Sequence, residues 1–297
     1  MLAPVVEIFC DIDDFCKEFY RRQAPRLLPN PERRRERECR LTISEIMTIL
    51  VLFQLSHNRT FKDFYDGCVL RELRQYFPKF ISYNRFVEVQ SSMVPLLAVY
   101  MLSKAGQETG MYYVDTTTLK VCHNRRIHRH KVFDGLAERG KTSMGWFFGF
   151  KLHLAVNHKG EIMSFILTPG NVDDRKTVRQ LFKGLKGTAA ADRGYIGKKL
   201  AADLKQMGIN FLTKARRNMK PKPFTAFESM ILAGRSIIET IFDQLKALCQ
   251  IEHTRHRKPD NFLANLLAAL IDYTLRPRKP AITQNFLPNL AQQLIPN

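Results

Sequence analysis

The sequence predicts a mixed α/β domain, built as a sheet with flanking helices, that follows an all-helical N-terminal region. Up to about residue 107, apolar residues recur at three- and four-residue steps, the spacing of amphipathic helices. Beyond the glycines of residues 106–110, segments rich in β-branched and aromatic residues are interleaved with helical patterns. This order of strands and helices is typical of an α/β fold.

The N-terminal region, residues 1–107, is expected to be a helical, helix-turn-helix-like region that binds DNA. A helix is predicted over 5–20, and the segment Thr42–Glu45 matches a capping box at the start of a second helix. Helices over 61–76 and 83–104 follow, and short helices joined by tight turns suit a DNA-reading module. The alternative is a plain helical bundle for packing or dimerisation, because no base-reading residue can be named.

Residues 108–280 contain the predicted sheet, and residues 281–297 are expected to form a C-terminal tail. The predicted elements are strand 110–122, a hairpin of strands 148–156 and 162–167, helix 173–183, strand 188–192, helix 197–207, strand 209–213, and helices 227–250 and 261–273. We expect the first three strands to be antiparallel. The last two are expected to be reached by helical crossovers.

The net charge of the 297-residue chain is +19, which indicates a surface that binds a polyanion. Nucleic acid is the first candidate, and a membrane surface is the competing one. No uninterrupted apolar run approaches the roughly 18 residues of a spanning helix, and the amino terminus is acidic where a signal peptide is basic. We therefore expect a cytoplasmic, nucleoid-associated protein with no membrane partner.

Two acidic residues lie in predicted strands, where a buried ionised side chain needs a counter-charge or a hydrogen-bond partner. Asp115 lies in the β-branched, apolar segment 110–122, and Asp192 ends the small-residue segment 188–192 ahead of a glycine turn. Burying a polar group without a partner costs about 2–7 kcal/mol, and a charge costs more. Ligands of open α/β sheets bind at the carboxyl ends of strands, where Asp192 is placed. For Asp115 alone, a salt-bridged Asp at a strand end explains the pattern equally well, and the second acid favours a shared site.

Glu239 supplies a third acid. On the predicted helix 227–250, a polar band beside the apolar stripe places Glu239 between two cations, Arg235 and Lys246. A solvated i, i+4 salt bridge is the alternative for this helix alone. Three carboxylates on two strands and a helix, in a chain of charge +19, fit a two-metal phosphoryl-transfer site. Two Mg²⁺ ions are expected, with Mn²⁺ as a substitute, since hard cations take oxygen ligands.

The loop between the first two predicted strands, residues 123–131, is strongly basic. The cations that we expect to contact phosphates are Arg125, Arg126, Arg129 and Lys131. The histidines of this loop would allow a zinc site, but the surrounding positive charges repel a cation. Residues 214–222 and 253–258 form two further basic loops, and the run 33–40 is either a solvated helix or a phosphate-contacting arm.

Taken as a set, these motifs resemble the bacterial insertion-sequence transposases of the DDE type. The resemblance is carried by Tyr-Val-Asp115-Thr-Thr, by Ala-Asp192-Arg-Gly-Tyr, and by Arg235-x-x-x-Glu239-x-x-x-x-x-x-Lys246. Any one acid would be a weak signal, whereas the three motifs in this order are specific.

Two segments between the first two acids, residues 145–153 and 169–173, also look like that family. The resemblance covers about residues 108–275. It departs at Leu232, where the family often has a tyrosine three residues before the signature arginine.

The resemblance implies a ribonuclease-H-like catalytic fold and a DNA transposase in which the three acids are catalytic metal ligands. Arg193, Arg235 and Lys246 would contact phosphates or DNA ends. The enzyme would act as an endonuclease at the element ends and join the freed 3′-OH groups to target DNA. Its partners would be double-stranded DNA, as terminal inverted repeats and as target, and a second copy of the chain in a homodimer on DNA.

Two other functions stay open. One is a ribonuclease-H-like, metal-dependent nuclease that cuts without strand transfer. The other is a DNA-binding regulator with an inactive catalytic domain, although the presence of all three acids argues against it.

Overall fold

The computed structural model describes residues 3–23, 39–56, 58–220, 223–252 and 256–282. These residues form two compact units. The helical unit takes its residues from 1–104, 247–251 and 255–275, and the sheet unit from 105–246, 252–254 and 276–297. Most of the basic run 33–40, residues 253–255 of the third basic loop and the tail beyond residue 282 lie outside the described residues.

The α-helices are α1 (Ala3–Gln23), α2 (Ile43–Leu55), α3 (Phe61–Phe64), α4 (Tyr83–Val89), α5 (Val94–Ser103), α6 (Val178–Leu181), α7 (Lys198–Gln206), α8 (Ala226–Ala233), α9 (Ser236–Ala247) and α10 (Pro259–Leu275). The strands are β1 (Met111–Cys122), β2 (Glu138–Thr142), β3 (Gly145–Asn157), β4 (Ile162–Pro169), β5 (Gly187–Ala191) and β6 (Ile209–Thr213). Short 3₁₀ or π-type segments cover Tyr65–Glu72, Gln90–Met93, Asn124–Arg129, Asp174–Lys176 and Arg193–Tyr195.

Capping side chains start the helices of the helical unit where the sequence predicts them. Thr42 Oγ1 accepts a hydrogen bond from the Glu45 N–H at 3.1 Å, and Glu45 Oε2 accepts one from the Thr42 N–H at 2.6 Å. This capping box satisfies two of the free N–H groups at the start of α2. The helix predicted over 61–76 is shorter than expected, since α3 continues as a π-type segment that ends at Glu72.

Helix α10 packs in the helical unit, against α2 and α5. From the sequence, these residues are expected to belong to the region 108–280, whereas in the structure they belong to the helical unit. Most side chains of α10 are buried, including Phe262, Leu270 and Ile271, so this helix needs neighbours on several sides. Gln54 Nε2 of α2 donates to Asn265 Oδ1 at 2.9 Å and adds a polar link to the apolar packing.

The helical segment Tyr83–Ser103 is long and apolar enough to cross a membrane when judged by length and composition alone. Core helices of soluble proteins pass the same test. In this protein the segment contains the charged residues Arg85 and Glu88. Its residues Phe86 and Leu97 are fully buried, and 39% of its most apolar 18-residue stretch is buried.

The sheet has the strand order β2-β3-β1-β5-β6, with β4 also paired to β3. Strand β1 is antiparallel to β3 and parallel to β5, and β5 is parallel to β6. Strands β2 and β4 pair with successive stretches of β3. The predicted fold class is confirmed: a ribonuclease-H-like mixed sheet with flanking helices follows a helical N-terminal region.

Strand β2 is the one strand of the described sheet that the sequence analysis does not predict. Its sequence, Glu-Arg-Gly-Lys-Thr, lacks the alternation of apolar and polar residues on which strand prediction depends. The strand forms because its backbone pairs with the start of β3, and its Gly140 admits the ring of Phe147, whose Cε1 atom would lie 2.5 Å from a Cβ there.

The prediction of a single helix over 227–250 is wrong, because the structure has two helices, α8 and α9, that meet at Gly234 and Arg235. A Cβ at Gly234 would lie 2.7 Å from the Tyr113 hydroxyl oxygen and 2.4 Å from Ile282 Cδ1. At this junction the chain packs closely against the Tyr113 and Ile282 side chains, which a residue larger than glycine would have to displace. The helix predicted over 173–183 is likewise reduced to a 3₁₀ turn and the short α6.

The two faces of the sheet have different roles. Tyr112 and Val114 of β1 point into an apolar core that includes Leu181 of α6 and Leu204 of α7. Because side chains alternate along a strand, Asp115 belongs to the opposite face. That face holds the predicted site.

Replacing Gly149 tests how tightly the central strands pack. Gly149 has φ +157°, and a Cβ there would lie 2.0 Å from the Leu119 carbonyl oxygen of β1. We predict that Gly149→Ala lowers the free energy of unfolding by roughly 1–3 kcal/mol in urea denaturation. Gly67→Ala is the matched control, because no atom lies within 4 Å of its added Cβ. Equal stability of the two variants would contradict this packing.

Candidate active site

Asp115 and Asp192 directly follow the last paired residues of two neighbouring parallel strands. Val114 of β1 pairs with Ala191 of β5, so the next residue on each strand lies at the same level of the sheet. Paired residues of parallel strands point to the same face, about 4.8 Å apart. The structure therefore places these two acids side by side.

The junction of α8 and α9 brings a cation to the same face. Tyr113 lies two residues before Asp115 on β1, and the close approach of Gly234 to the Tyr113 ring fixes where α9 begins. Helix α8 packs against β5 and β6. Arg235, the residue after Gly234, is thereby directed towards the acids.

Arg235 links the first and third acids of the motif. Its Nη2 atom lies 2.8 Å from Glu239 Oε1, one helical turn further along, and its Nη1 atom lies 3.8 Å from Asp115 Oδ2. The Asp115 side chain is 23% exposed and that of Glu239 is 52% exposed. The guanidinium thus pairs closely with the solvated carboxylate of Glu239 and lies at the edge of ion-pair distance from the largely buried carboxylate of Asp115.

Burial raises the pKa of Asp115 to about 6. The Thr116 N–H, which donates to Asp115 Oδ1 at 2.8 Å, and the positive charge of Arg235 both oppose this rise. The negative charges of Asp192 and Glu239 reinforce it. The three acids therefore share one electrostatic environment, in which ionised Asp115 is incompletely compensated.

Comparison with known proteins places this site in a family. The profile of the transposase DDE domain matches residues 105–259, which is more than half of the chain and contains all three acids. The chain belongs to the transposase DDE domain family. This membership confirms the resemblance drawn from the motifs and identifies a DNA transposase, an enzyme that cleaves and transfers DNA.

Two solved transposase structures are similar to the chain at low identity. The cryo-EM structure of the piggyBac transposase synaptic complex with hairpin DNA has 13% identity and a TM-score of 0.47, over 97% of this chain and 77% of that one. The crystal structure of the Mos1 strand transfer complex has 11% identity and a TM-score of 0.24, over 86% and 83%. Neither likeness supports a further statement, because both TM-scores lie below 0.5. Curated protein sequences give no match.

Two other acids near Glu239 in this transposase, Glu228 and Glu252, have partners elsewhere. Glu228 completes a capping box at the start of α8, where its Oε2 accepts from the Thr225 N–H at 3.0 Å. Glu252 lies 2.9 Å from Lys246 Nζ, so the predicted DNA contact Lys246 is paired with an acid outside the triad. Of the acids on α8 and α9, Glu239 is the one that shares a cation with Asp115.

Most of the predicted DNA-contacting residues lie away from the acids. Arg125, Arg126 and Arg129 belong to the 3₁₀ segment after β1, and Lys131 follows that segment. All four are exposed. At about 3.3 Å per residue, the seven residues from Asp115 to the end of β1 span roughly 23 Å.

Of the predicted DNA-contacting cations, Arg193 lies near the acids, as Arg235 does. It directly follows Asp192 and is exposed, so it stands beside the acids.

The donor set of the acid cluster suits a hard divalent cation, because it consists of carboxylate oxygens around an incompletely compensated Asp115. In the described part of the chain, no group of three or more His, Cys, Asp or Glu side chains is already arranged to hold a metal. The same holds for the histidines of residues 123–131, which were considered for zinc. At the acids, Arg235 occupies the space between Asp115 and Glu239.

A buried polar network behind Asp115 was missed by the sequence analysis. The Thr116 hydroxyl shares hydrogen bonds with His153 Nδ1 and with the Tyr195 hydroxyl, each at 2.7 Å. His153 Nε2 contacts Thr168 Oγ1 at 2.8 Å, and burial lowers the pKa of His153 to about 4, so the ring is neutral. The network joins the strand of Asp115 to the turn after Asp192. A histidine inside the apolar β3 segment was the signal in the sequence.

The raised pKa of Asp115 predicts an unusual stability profile in EDTA. Because the folded pKa is about 6 and the unfolded value is near 3.8, the folded state binds the proton more tightly, and stability falls as pH rises from about 4 to 6. We predict that Asp115→Asn is more stable than wild type at pH 7 by roughly 2–3 kcal/mol, with no difference below pH 4. Chemical denaturation across this pH range measures the effect.

Glu228→Gln is the control of opposite sign. Hydrogen bonds from the Thr225 N–H and Asn210 lower the pKa of Glu228, so its contribution is present above the unfolded pKa and is lost as the pH falls. This variant should be less stable than wild type at pH 7. A loss of stability in Asp115→Asn at pH 7 would show that Arg235 fully compensates the buried charge.

Proposed function

We propose that this transposase cleaves the phosphodiesters at the ends of its DNA element and joins the freed ends to target DNA, with Asp115, Asp192 and Glu239 as its catalytic acids. The observation that carries the proposal is the state of Asp115. A carboxylate that is 23% exposed, has a raised pKa and lies beside two further acids is costly for the fold. A role in binding cations at the reacting phosphate accounts for that cost.

The proposed reaction has two displacements at phosphorus. In the first, a water oxygen forms a bond to phosphorus, the bond from phosphorus to the 3′ oxygen breaks, and the proton from water ends on the leaving oxygen. In the second, the freed 3′-OH attacks a target phosphodiester and a target 3′-OH leaves. The number of phosphodiesters is unchanged in the second step, so joining needs no energy source.

The three carboxylates would hold two Mg²⁺ ions, for which Mn²⁺ would substitute. When bound, such ions activate the attacking oxygen and stabilise the leaving one. Asp115 and Asp192 are positioned for this by the backbone ladder of β1 and β5, and Glu239 by the first turn of α9. Placement on strands and a helix keeps the acids rigid.

Arg235 is proposed to bind the reacting DNA. Its planar guanidinium pairs with Asp115 and Glu239 in the structure, and phosphate is the other anion that suits this geometry. Arg193, beside Asp192, and Lys246, on the last turn of α9, are proposed to add further phosphate contacts. These cations also offset the repulsion between the acids and the DNA backbone.

The net charge of +19 supports binding to double-stranded DNA, as element ends and as target. We propose that the helical region of residues 1–107 selects the ends. A homodimer on DNA is proposed as the active form, since joining two ends to one target needs two catalytic centres. The protein is proposed to act in the cytoplasm, on the nucleoid.

The alternative functions make different products. A ribonuclease-H-like nuclease would cut the ends without joining them, which a strand-transfer assay with labelled ends detects. A DNA-binding regulator with an inactive domain would do neither. The cost of keeping Asp115 charged beside two acids argues against a purely structural domain.

We predict that Glu239→Gln abolishes Mg²⁺-dependent cleavage and joining, because the near-isosteric amide removes a charged ligand. Folding and DNA binding should stay near wild type, since Glu239 is exposed and its partner in the structure is Arg235, four residues before it. Cleavage and joining of labelled end DNA by gel assay measure the effect.

Matched controls decide whether the position of Glu239 matters. Glu228→Gln and Asp243→Asn remove acids from the same helix pair and should each keep a measurable part of the activity. Asp115→Asn and Asp192→Asn should be inactive. An active Glu239→Gln protein would remove the third acid from the proposed site.

A further inference from the structure

The hairpin of β2 and β3 ends in an exposed apolar tip. Met144 in its turn is 92% exposed, and Trp146 at the start of β3 is 61% exposed. Trp146 is the only tryptophan in the sequence. Single exposed apolar side chains are ordinary, but a large aromatic ring beside an exposed methionine on a projecting hairpin is typical of a binding surface.

The packing of the hairpin holds Trp146 outwards. The neighbouring Phe147 is buried, and its ring lies on the bare backbone of Gly140. Since successive side chains of a strand point to opposite faces, Trp146 is directed to solvent. Asn124 Nδ2 donates to the Trp146 carbonyl oxygen at 2.7 Å and ties the hairpin to the basic turn after β1.

Positive charge surrounds this tip. Lys141 Nζ lies 5.7 Å from the centre of the Trp146 ring, a cation–π distance. On the basic turn, Arg125 and Arg126 border a cleft of about 540 Å³. The residues that line the cleft are Val121, Cys122, His123, Arg125, Arg126 and His130. Glu138 is the acid of β2, at the end of the strand away from the tip.

We propose that the tip is a second nucleic-acid contact, in which Trp146 stacks on an unpaired base while Lys141, Arg125 and Arg126 hold the flanking phosphates. This inference rests on the proposed function, because it assumes a DNA substrate. Aromatic rings in a basic groove are the usual means of binding single-stranded nucleic acid. A second copy of the chain fits less well, since its net charge of +19 would be repelled by the same cations.

The register of β3 locates this contact relative to the acids. Leu154 pairs with Asp115, and Trp146 lies eight residues earlier on the same strand. At about 3.3 Å per residue the separation is roughly 26 Å, which corresponds to about eight base pairs of B-DNA. The tip therefore lies well away from the acids along the sheet.

Because Trp146 is the sole tryptophan, its fluorescence reports on the tip directly. The full chain is titrated at low salt, in EDTA, with a dye-labelled duplex that has a three-nucleotide single-stranded gap and with the same duplex without the gap. Binding is followed by the anisotropy of the dye. The expected result is quenching of tryptophan emission and protection from acrylamide, both stronger with the gapped duplex.

Variants separate stacking from charge. Trp146→Ala should weaken binding to the gapped duplex roughly 10-fold, with the same dependence of log Kd on log salt concentration, whereas Trp146→Phe keeps most of the affinity. The double variant Arg125→Gln, Arg126→Gln should retain the quenching and reduce the salt slope by about 1–2. The Phe variant also confirms the source of the emission, since it has no tryptophan.

Several results would overturn the proposal. Binding seen by anisotropy with unchanged tryptophan emission would place the DNA elsewhere, without affecting the proposed transposase activity. If Trp146→Ala bound the gapped duplex with wild-type affinity, the DNA contact would likewise lie elsewhere. Emission that changes with protein concentration in the absence of DNA would assign the tip to self-association. If no DNA changes the anisotropy, the proposed function fails together with this contact.

Discussion

A carboxylate buried against the sheet is the constraint on which the arrangement of the site depends. Asp115 lies beyond the last paired residues of β1 and β5, where solvent covers it only in part. Two groups partly compensate its negative charge: the Thr116 N–H and the Arg235 guanidinium. Arg235 directly follows Gly234, at the junction of α8 and α9. The pKa of about 6 shows that these two groups leave part of the cost in place. The site is thus organised around a carboxylate whose negative charge is only partly compensated.

The buried network supports the same acids from behind. Thr116 contacts His153 on one side and Tyr195 on the other, so its hydroxyl connects the central strand β3 with the turn that follows Asp192. Because burial keeps the imidazole neutral, no second charge is added beneath the acids. Rigid support of this kind keeps the two carboxylates in register.

The sequence predicts the sheet well, because its strands depend on local patterns, and the three acids that it singles out lie close to one another in the structure. The alternation in β1, β3 and β4 and the small residues of β5 indicate strands, and the three motifs locate Asp115, Asp192 and Glu239. The break between α8 and α9 could not be predicted from local pattern, since the residue at the break, Gly234, packs against Tyr113, more than a hundred residues away in the chain. Strand β2 could not be predicted for a similar reason. It forms through backbone pairing with β3 and through the contact between Gly140 and the ring of Phe147. The packing of α10 with the N-terminal helices also depends on distant contacts.

The acids and the basic turn after β1 lie at different ends of the sheet. The acids, with Arg235 and Arg193 beside them, lie at the carboxyl end of β5, whereas Arg125, Arg126 and Lys141 lie at the far end of β1 and the tip of the β2–β3 hairpin. In a chain of charge +19, this separation leaves the acids with a local negative field. Anomalous diffraction from crystals grown with Mn²⁺ tests most directly whether that field holds cations. We predict a manganese peak within about 2–2.5 Å of carboxylate oxygens of Asp115 and Asp192, with Arg235 moved away. A peak confined to the histidines of residues 123–131, or none at the acids, would contradict the proposed site.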